Sequence, residues 1–348
     1  MSTIKAPRVA VVGVSSLVGT ALIEALKARR FACAALHALD DARSLGASVA
    51  GEAGEEGEEA RQLPVSDVEG FDFSQTDLVF FCGREALAQR HAAAAAAHAW
   101  VIDGSAAHRG RADVPLVVAD VNPETLDGVA ARGLIALPGS ASVALATALA
   151  PLHRLAGLER VEVATYHAVS GAGRGAMEEL AAETVAMLSG KTPRGRAFGR
   201  PIAFNVIPAV DALEADGSSR EERRLWEETR RVLGLPKLAI NVTAVRVPVF
   251  FGHGLAVHAS FERSVSVPQA AAALQEGAGI GLVDPESSGK YPTPATVANA
   301  EERVYVGRLR ADPTRDRALN FWVVADNVRK CAAHNAVSAA QILVNRSR

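Results

Sequence analysis

The chain opens with a change from a short apolar run to a helical repeat. Residues Arg8 to Gly13 form a β-branched run that ends in glycine. A strand, a turn and a helix in this order are typical of the start of a doubly wound α/β domain. The apolar residues that follow at helical spacing are Leu17, Val18, Ala21, Leu22, Ala25 and Leu26.

Further apolar runs predict the other strands of the same sheet. An Ala-rich stretch, Glu85–Ala99, predicts a helix among them. Because strands alternate with helical segments, we predict a parallel sheet covered by helices. The strand candidates are Ala34–Leu39, Leu78–Phe81, Trp100–Asp103 and Leu116–Val118.

The pattern changes after residue 132, where a second domain is predicted over 133–326. Leu134–Ala136 leads into a helical stretch that starts at Ser140. Val161–Tyr166 and Asn241–Phe250 are rich in Val and Thr, which predicts strands of a mixed sheet.

The last stretch, Asp326–Val344, carries apolar residues at helical spacing. We expect this terminal helix to return to the first domain, which then consists of residues 1–132 with 327–348.

The composition fits a globular protein of two domains. The 348 residues are 49% hydrophobic, and 37 Lys and Arg against 39 Asp and Glu leave a net charge of −2. This charge, without any basic run, excludes a nucleic-acid-binding class. The longest apolar run is broken by His98 and is too short for a bilayer, so we expect neither a membrane segment nor a targeting segment.

Three cysteines, Cys33, Cys82 and Cys331, stand far apart in the sequence. An odd number at wide spacing indicates neither a disulfide framework nor a zinc cluster, so we expect no bound metal. We expect the protein to work in the reducing cytoplasm.

The junction of the first strand and helix is a candidate phosphate loop. Its backbone N–H groups and the helix dipole would hold a pyrophosphate. Only two glycines are present, and Ser16 stands where a third would permit the closest approach, so a simple tight turn is the alternative reading. The candidate residues are Gly13, Ser15, Ser16, Leu17, Val18 and Gly19.

A second nucleotide-binding segment follows the second predicted strand, where the adenosine ribose would lie. Arg43, with Ser44 beside it, could pair with a 2′-phosphate, whereas Asp40 or Asp41 would favour a free 2′-hydroxyl. The sequence therefore leaves both NADP and NAD open.

Several longer strings stand in a characteristic order over most of the chain, from about residue 8 to 345. They are Val9–Gly19, Val101–Arg109, Asp113–Val117, Thr165–Gly173, Ala203–Pro208, Arg246–His253 and Leu319–Lys330. Together these strings resemble the bacterial aspartate-semialdehyde dehydrogenases.

That resemblance implies a Rossmann-type NAD(P)-binding domain and an α+β substrate and dimerisation domain with a mixed sheet. It also implies the NADPH-dependent reduction of aspartyl phosphate through a covalent thioester, on the route to lysine, threonine and methionine. Members of the family are typically homodimers or homotetramers.

The resemblance breaks at the nucleophile. Ser140 takes the place of the family's cysteine, and Gly139 takes that of an Asn that contacts phosphate. His167 stands where the family has a glutamine that positions the acyl intermediate. An acyl-serine would be an ester and a poor hydride acceptor, so we predict that dehydrogenase activity is absent or severely reduced.

The residues that would bind the substrate match the family better than those that would form and break bonds. Arg246 matches the arginine that holds the substrate carboxylate, and His253 matches the general base. Arg109 matches a phosphate-binding arginine, and Glu222 and Arg224 match a Glu-x-Lys substrate pair. Two more residues, Gly173 and Asn327, are assigned to the cofactor.

Simpler readings exist for these residues. Ser140 could be a helix N-cap, and Asp326 and Asn327 could cap the last helix. Arg246 and His253 could be a surface arginine and a turn histidine. The two further arginines assigned to the ligand, Arg109 and Arg224, could be solvated surface charges.

Three function classes follow. The first is a protein that binds a nicotinamide nucleotide and a small anionic metabolite without turnover. The second is an oxidoreductase with altered chemistry, such as carbonyl reduction by hydride without a covalent intermediate. The third is a structural or partner-binding subunit.

Overall fold

The first apolar run forms strand β1 (Arg8–Val12), which lies inside a largely parallel sheet. This computed structural model describes residues 6–50, 62–130, 132–283, 290–297 and 302–347. Within them the chain divides into two compact units, Met1–Pro138 with Ala332–Arg348, and Gly139–Cys331.

The sheet of the first unit contains seven strands among the described residues. They are β1, β2 (Ala35–Asp40), β3 (Ser48–Ala50), β4 (Gln62–Asp67), β5 (Leu78–Phe81), β6 (Trp100–Asp103) and β7 (Gly133–Ala136). The order is β3-β4-β2-β1-β5-β6-β7, with β3 antiparallel to β4 and all other neighbours parallel. The chain winds outward from β1 in both directions, which confirms the predicted doubly wound fold.

The helices of this unit are α1 (Leu17–Ala28), α2 (Glu85–Ala96) and α8 (Asn335–Arg346). The alanines that α2 turns inward, Ala88, Ala92 and Ala95, are fully buried against the sheet. The terminal α8 lies in this unit, where Arg29 Nη1 donates to Ser338 Oγ at 2.6 Å. The units divide at 138/139 and 331/332, whereas the sequence predicted 132/133 and 326/327. The first boundary lies later because β7 pairs with β6 and so belongs to the first sheet.

One predicted strand of the first unit is wrong. Leu116–Val118 forms a single bridge from Leu116 to Ala136 and no strand. A side chain satisfies two of its backbone groups instead. Asn122 accepts a hydrogen bond from Val118 N at 2.8 Å and donates one to Leu116 O at 3.0 Å.

The second unit is built on a mixed sheet, as predicted. In the described residues its strands are β8 (Leu158–His167), β9 (Ala239–Arg246), β10 (His253–Phe261), β11 (Ile280–Leu282), β12 (Val304–Ala311) and β13 (Ala318–Ala325). The order is β11-β12-β13-β10-β8-β9, parallel at β11–β12 and β8–β9 and antiparallel elsewhere. Strand β9 ends four residues before the predicted Phe250, because Pro248 has no N–H for a ladder bond.

The helices of this unit are α3 (Ser140–Ala156), α4 (Arg174–Leu188), α5 (Arg220–Val232), α6 (Val267–Gln275) and α7 (Pro294–Val297). Helix α3 is almost entirely buried and packs on the sheet beside α5 and α6. None of the helices in the described part of the chain has the length and apolarity of a membrane span.

The terminal α-helix begins later than its apolar pattern predicted. Asp326 Oδ1 accepts from Val328 N at 2.8 Å and from Arg329 N at 2.7 Å. This carboxylate caps a π-helical turn over Arg329–His334, and the α-helix begins only at Asn335.

Candidate functional site

Two positions at the turn between β1 and α1 have room for glycine only. Gly13 has a φ of +80°, and a Cβ there would lie 2.5 Å from Cys82 O. A Cβ on Gly19 would overlap Gly13 O and the backbone of Val14. The two glycines that the sequence singled out therefore allow the backbone to turn tightly into α1.

Ser16, at the position of the missing third glycine, is the N-cap of α1. Its Oγ accepts from Gly19 N at 3.0 Å and donates to Cys82 O at 3.2 Å. The helix then begins with Leu17 and Val18, whose N–H groups precede the first intrahelical bonds. The buried Oγ of Ser15 has no hydrogen-bond partner among the described residues. These donors at a helix N-terminus fit a pyrophosphate.

The carboxyl end of β2 carries a chain of charges. Asp40 is fully buried, accepts from Ser15 N at 3.0 Å and lies 3.2 Å from Arg84 Nη1. Asp41 pairs with both Arg84 and Arg43 at 2.6 Å, and its hydrogen bond with Arg43 lowers the pKa of its carboxyl. Neither carboxylate is free, and Arg84, which the sequence analysis did not select, joins them.

Arg43 and Ser44 lie in a short 3-10 turn, Ala42–Ser44, directly after this strand. The Arg43 side chain is 84% exposed and its guanidinium is positioned by Asp41. An exposed cation beside an occupied acidic pair can receive a 2′-phosphate, but it also leaves room for a ribose hydroxyl.

Arg109 belongs to the first unit. It follows β6 in a loop, and its Nη2 donates to Gly104 O at 2.7 Å. The guanidinium is thereby fixed on the loop after the carboxyl end of a parallel strand, the edge at which ligands bind in such sheets.

In the second unit, Ser140 is the first residue of α3. The N-cap is Gly139, with φ −58° and ψ 151°, so the N-cap reading of Ser140 is wrong. Gly139 N donates to the buried Glu228 Oε2 at 2.7 Å, which fixes the entry into the helix. The hydroxyl of Ser140 therefore lies at the positive end of a buried helix dipole.

Arg246, His253 and His167 meet at the ends of three neighbouring strands. Arg246 is 7% exposed, and its Nη1 donates to Ala168 O at 2.7 Å, whereas its buried Nε has no partner among the described residues. His253 Nδ1 accepts from Ala168 N at 3.1 Å, and its ring centroid lies 4.5 Å from that of His167. The readings as a surface arginine and a turn histidine are wrong, since both are buried.

The electrostatics of this cluster leave one positive charge. Burial lowers the pKa of Arg246 to about 10, so it stays protonated at neutral pH. Burial, with the charge of Arg246, lowers the pKa of His167 to about 3. Burial, then His167 and Arg246, hold the pKa of His253 well below its ordinary value. Two neutral imidazoles thus flank one buried guanidinium, an arrangement suited to an anion.

The two residues of α5 that were predicted to bind substrate, Glu222 and Arg224, both have partners within the protein. Glu222 accepts from Ser219 N at 2.6 Å in a capping box and from Ala244 N at 2.8 Å, so both of its oxygens bind backbone. Glu221 instead lies with a carboxylate oxygen 4.0 Å from His167 Nε2, and its charge raises the pKa of Arg246. Arg224 donates to Asp211 at 2.9 Å and is 27% exposed.

Two residues predicted to contact the cofactor lie in the second unit. Asn327 Oδ1 accepts from Gly252 N at 3.0 Å, and its Nδ2 donates to Ser170 Oγ at 3.0 Å. These bonds are internal to the unit and do not cap the last helix. Gly173, with φ +90°, is the N-cap of α4.

Two family models match the chain. One, described as "Semialdehyde dehydrogenase, NAD binding domain", matches residues 8–129, and another, "Semialdehyde dehydrogenase, dimerisation domain", matches residues 149–330. The chain belongs to the semialdehyde dehydrogenase family. The resemblance seen in the sequence is confirmed, and the first unit carries the family's nicotinamide-nucleotide-binding domain.

Individual family members are similar over almost the whole length. An aspartate-semialdehyde dehydrogenase from Shewanella violacea is 37% identical over 337 residues, which cover 97% of each chain. A USG-1 protein homolog from Azotobacter vinelandii is 37% identical over 98% of each chain. The structure of aspartate semialdehyde dehydrogenase II from Vibrio cholerae, complexed with ASA, is 36% identical, with a TM-score of 0.93 over 98% of this chain and 99% of that one.

Proposed function

We propose that the protein binds a nicotinamide nucleotide and a small aspartyl-type anion, and that it has lost or greatly weakened the thiol-dependent reduction of an acyl phosphate. The observation that carries this proposal is a serine, Ser140, as the first residue of α3 in a chain of this family. The nucleotide contacts are assigned to the Gly13–Gly19 loop and to Arg43 and Ser44.

The chemistry of the hydroxyl supports the loss. A cysteine thiol is a few per cent thiolate at neutral pH, whereas a serine hydroxyl needs a base to remove its proton. His253 is poorly prepared to be that base. Its Nδ1 accepts a hydrogen bond from the Ala168 N–H, so the neutral ring carries its own proton on Nε2. Nε2 is therefore a hydrogen-bond donor and cannot take a proton from Ser140.

The binding groups support an amino-acid-like anion. Arg246 is assigned to a carboxylate, since its planar guanidinium retains an unpaired Nε and can bind two oxygens. Glu221, rather than Glu222, is assigned to an ammonium group. Arg224 is assigned to a further anionic oxygen, and His167 to hydrogen bonding of the ligand. In the first unit, Arg109 is assigned to phosphate or another anionic oxygen.

We also propose that the second unit forms a homodimer. Side chains on one face of its sheet are only half buried, among them Ala164, Tyr166, Ala256 and Trp322. Light scattering that reports twice the chain mass would support a homodimer. A mass of one chain would contradict it, and four would indicate a tetramer.

The test is a titration with NADPH and with NADH, next to an assay of phosphate-dependent oxidation of aspartate semialdehyde. We expect dinucleotide binding, and turnover at least about a thousandfold below an ordinary family member. Turnover at the ordinary level would overturn the proposal. No binding of either nucleotide would favour a purely structural or partner-binding subunit.

Restoring the thiol distinguishes loss of the nucleophile from loss of substrate recognition. Ser140→Cys with Gly139→Asn should gain phosphate-dependent turnover if the ligand groups still recognise the family substrate. Gly139 has a negative φ, so Asn enters without backbone strain. The control is Ser140→Ala with Gly139→Asn, which should gain nothing.

A further inference from the structure

A histidine and carboxylate pair with no role assigned above lies in the first unit, at the end of β6 and on the loop that also carries Arg109. Asp103 ends β6 and is fully buried. Its Oδ2 lies 2.6 Å from Nδ1 of His108, and its Oδ1 accepts from Ser105 N at 2.8 Å. The carboxylate is therefore held from two sides and fixes the imidazole.

The ring nitrogens of His108 have different surroundings. Because Nδ1 faces a carboxylate, the neutral ring carries its proton on Nδ1 and leaves a lone pair on Nε2. Among the described residues Nε2 has no hydrogen-bond partner, and the side chain is 11% exposed. Because Asp103 holds Nδ1, Nε2 is the ring nitrogen at which a proton can pass to or from a ligand.

The pair lies at the edge of the sheet that carries the phosphate loop. Asp103 is the register partner of Phe81, and Phe81 is that of Val12, the residue before Gly13. Ligands bind outside the carboxyl ends of such strands. Other titratable groups at this edge include Cys82, Asp40, Asp41, Arg84 and Arg109. Burial, with the charges of Asp103 and Asp40, raises the pKa of the Cys82 thiol.

We propose that His108, positioned by Asp103, is the proton donor of a carbonyl reduction that needs no thiol. The substrate class is a small aldehyde or 2-oxo acid with a carboxylate, because the guanidinium of Arg109 is held on the same loop by its bond to Gly104 O. The inference rests on the proposed nucleotide binding and adds a chemistry that Ser140 does not have to perform.

The reaction balances without a covalent intermediate. The carbonyl carbon accepts a hydride, which the reduced nicotinamide supplies. The π electrons of the C=O bond move onto oxygen, which takes the proton from Nε2 of the doubly protonated His108 ring and leaves the neutral ring with its proton on Nδ1. The carbonyl compound becomes an alcohol, the dinucleotide is oxidised, and His108 regains its proton from water.

The activity test omits phosphate and follows NADPH consumption with aspartate semialdehyde, succinate semialdehyde and glyoxylate. We expect at least one to be reduced to its alcohol, identified by mass spectrometry. His108→Gln keeps a donor for Asp103 but transfers no proton, so kcat should fall at least about a hundredfold while the Kd for NADPH changes less than about threefold. His98→Gln, at an exposed histidine of the same unit, should change neither.

A second readout does not depend on turnover. In ¹⁵N-correlated NMR spectra of the full chain, His108 should carry its proton on Nδ1 and respond to saturating NADP⁺. Asp103→Asn should invert this tautomer and lower kcat, because the amide Nδ2 donates where the carboxylate accepted. A merely structural Asp103 would leave kcat unchanged.

The outcomes separate the two proposals. If NADPH binds but none of the three compounds is reduced, or if His108→Gln keeps full turnover, the proton-donor role is overturned and nucleotide binding stands. The role is equally overturned if NADP⁺ leaves the His108 signals unchanged. If no dinucleotide binds, the proposed function fails and this inference fails with it.

Discussion

The imidazole rings of His167 and His253 lie with centroids 4.5 Å apart and planes inclined at 54°, and both are 2% exposed. Two rings this close cannot both be charged beside Arg246 without a large cost. The pair is therefore stable only while neutral. Its two unfilled proton positions make the folded state sensitive to acid.

The first prediction concerns this sensitivity. The pKa of His167 is about 3 in the folded protein and near its ordinary 6.5 after unfolding. Below pH 6.5 the unfolded chain takes up a proton that the folded one does not, so the free energy of unfolding falls as the pH is lowered towards 3. Between pH 7 and pH 5 the loss from His167 is about 2 kcal/mol.

His167→Gln should remove this contribution, measured by urea unfolding at the two pH values. His98→Gln, at an exposed histidine, serves as the control and should keep the wild-type difference. An unchanged pH dependence in His167→Gln would show that the ring is not held neutral.

The second prediction distinguishes two adjacent glutamates. Glu222→Gln replaces an acceptor of two backbone N–H groups by an amide, so the free energy of unfolding should fall by about 1 to 2 kcal/mol. Glu221→Gln should weaken binding of L-aspartate about tenfold and leave that of succinate, which lacks the ammonium group, unaffected. Equal effects of the two variants on L-aspartate affinity would argue against Glu221 as the ammonium ligand.

This pair also shows what the sequence could predict. The motif match selected Glu222, whose carboxylate binds backbone N–H groups in the structure. A finer signal was present, since Ser219 and Glu222 have the Ser-x-x-Glu spacing of a capping box, which commits Glu222 to the helix start. The adjacent Glu221 is the residue whose carboxylate lies 4.0 Å from His167 Nε2.

The strand ends were predictable and the contacts between distant loops were not. The apolar runs of β5 and β6 fixed both strands to the residue, because they are buried on both faces. Arg84 reaches Asp40 and Asp41 across 44 and 43 positions, and no local spacing reveals such a contact. Leu116–Val118 has the composition of a strand, but the side chain of Asn122 hydrogen-bonds to the backbone of Leu116 and Val118.

The third prediction tests the close packing around Arg246. A Cβ on Gly171 would lie 3.1 Å from Arg246 Nη1 and 3.4 Å from His253 Cε1. Gly171→Ala should therefore displace the guanidinium and weaken succinate binding about tenfold, as expected for a charge-assisted contact that loses its geometry. Gly175→Ala, where a Cβ meets nothing within 4 Å, is the matched control and should bind as the wild type does. If both variants keep full affinity, Arg246 is not the carboxylate ligand.

The fourth prediction uses two glycines with the same backbone. Gly13 and Gly70 both have a φ of +80°, so alanine at either position costs about 1 to 2 kcal/mol of left-handed strain. At Gly70 the new methyl group meets nothing within 4 Å, whereas at Gly13 it lies 2.5 Å from Cys82 O. Gly13→Ala must therefore also separate the loop from the end of β5.

The free energy of unfolding should fall further in Gly13→Ala than in Gly70→Ala, measured by urea denaturation. NADPH binding, followed by its fluorescence, should be lost in Gly13→Ala and retained in Gly70→Ala, because only the first change moves the N–H groups before α1. Equal destabilisation with NADPH affinity intact in both variants would mean that this loop does not hold the pyrophosphate. The nucleotide contacts would then have to be sought elsewhere on the first unit.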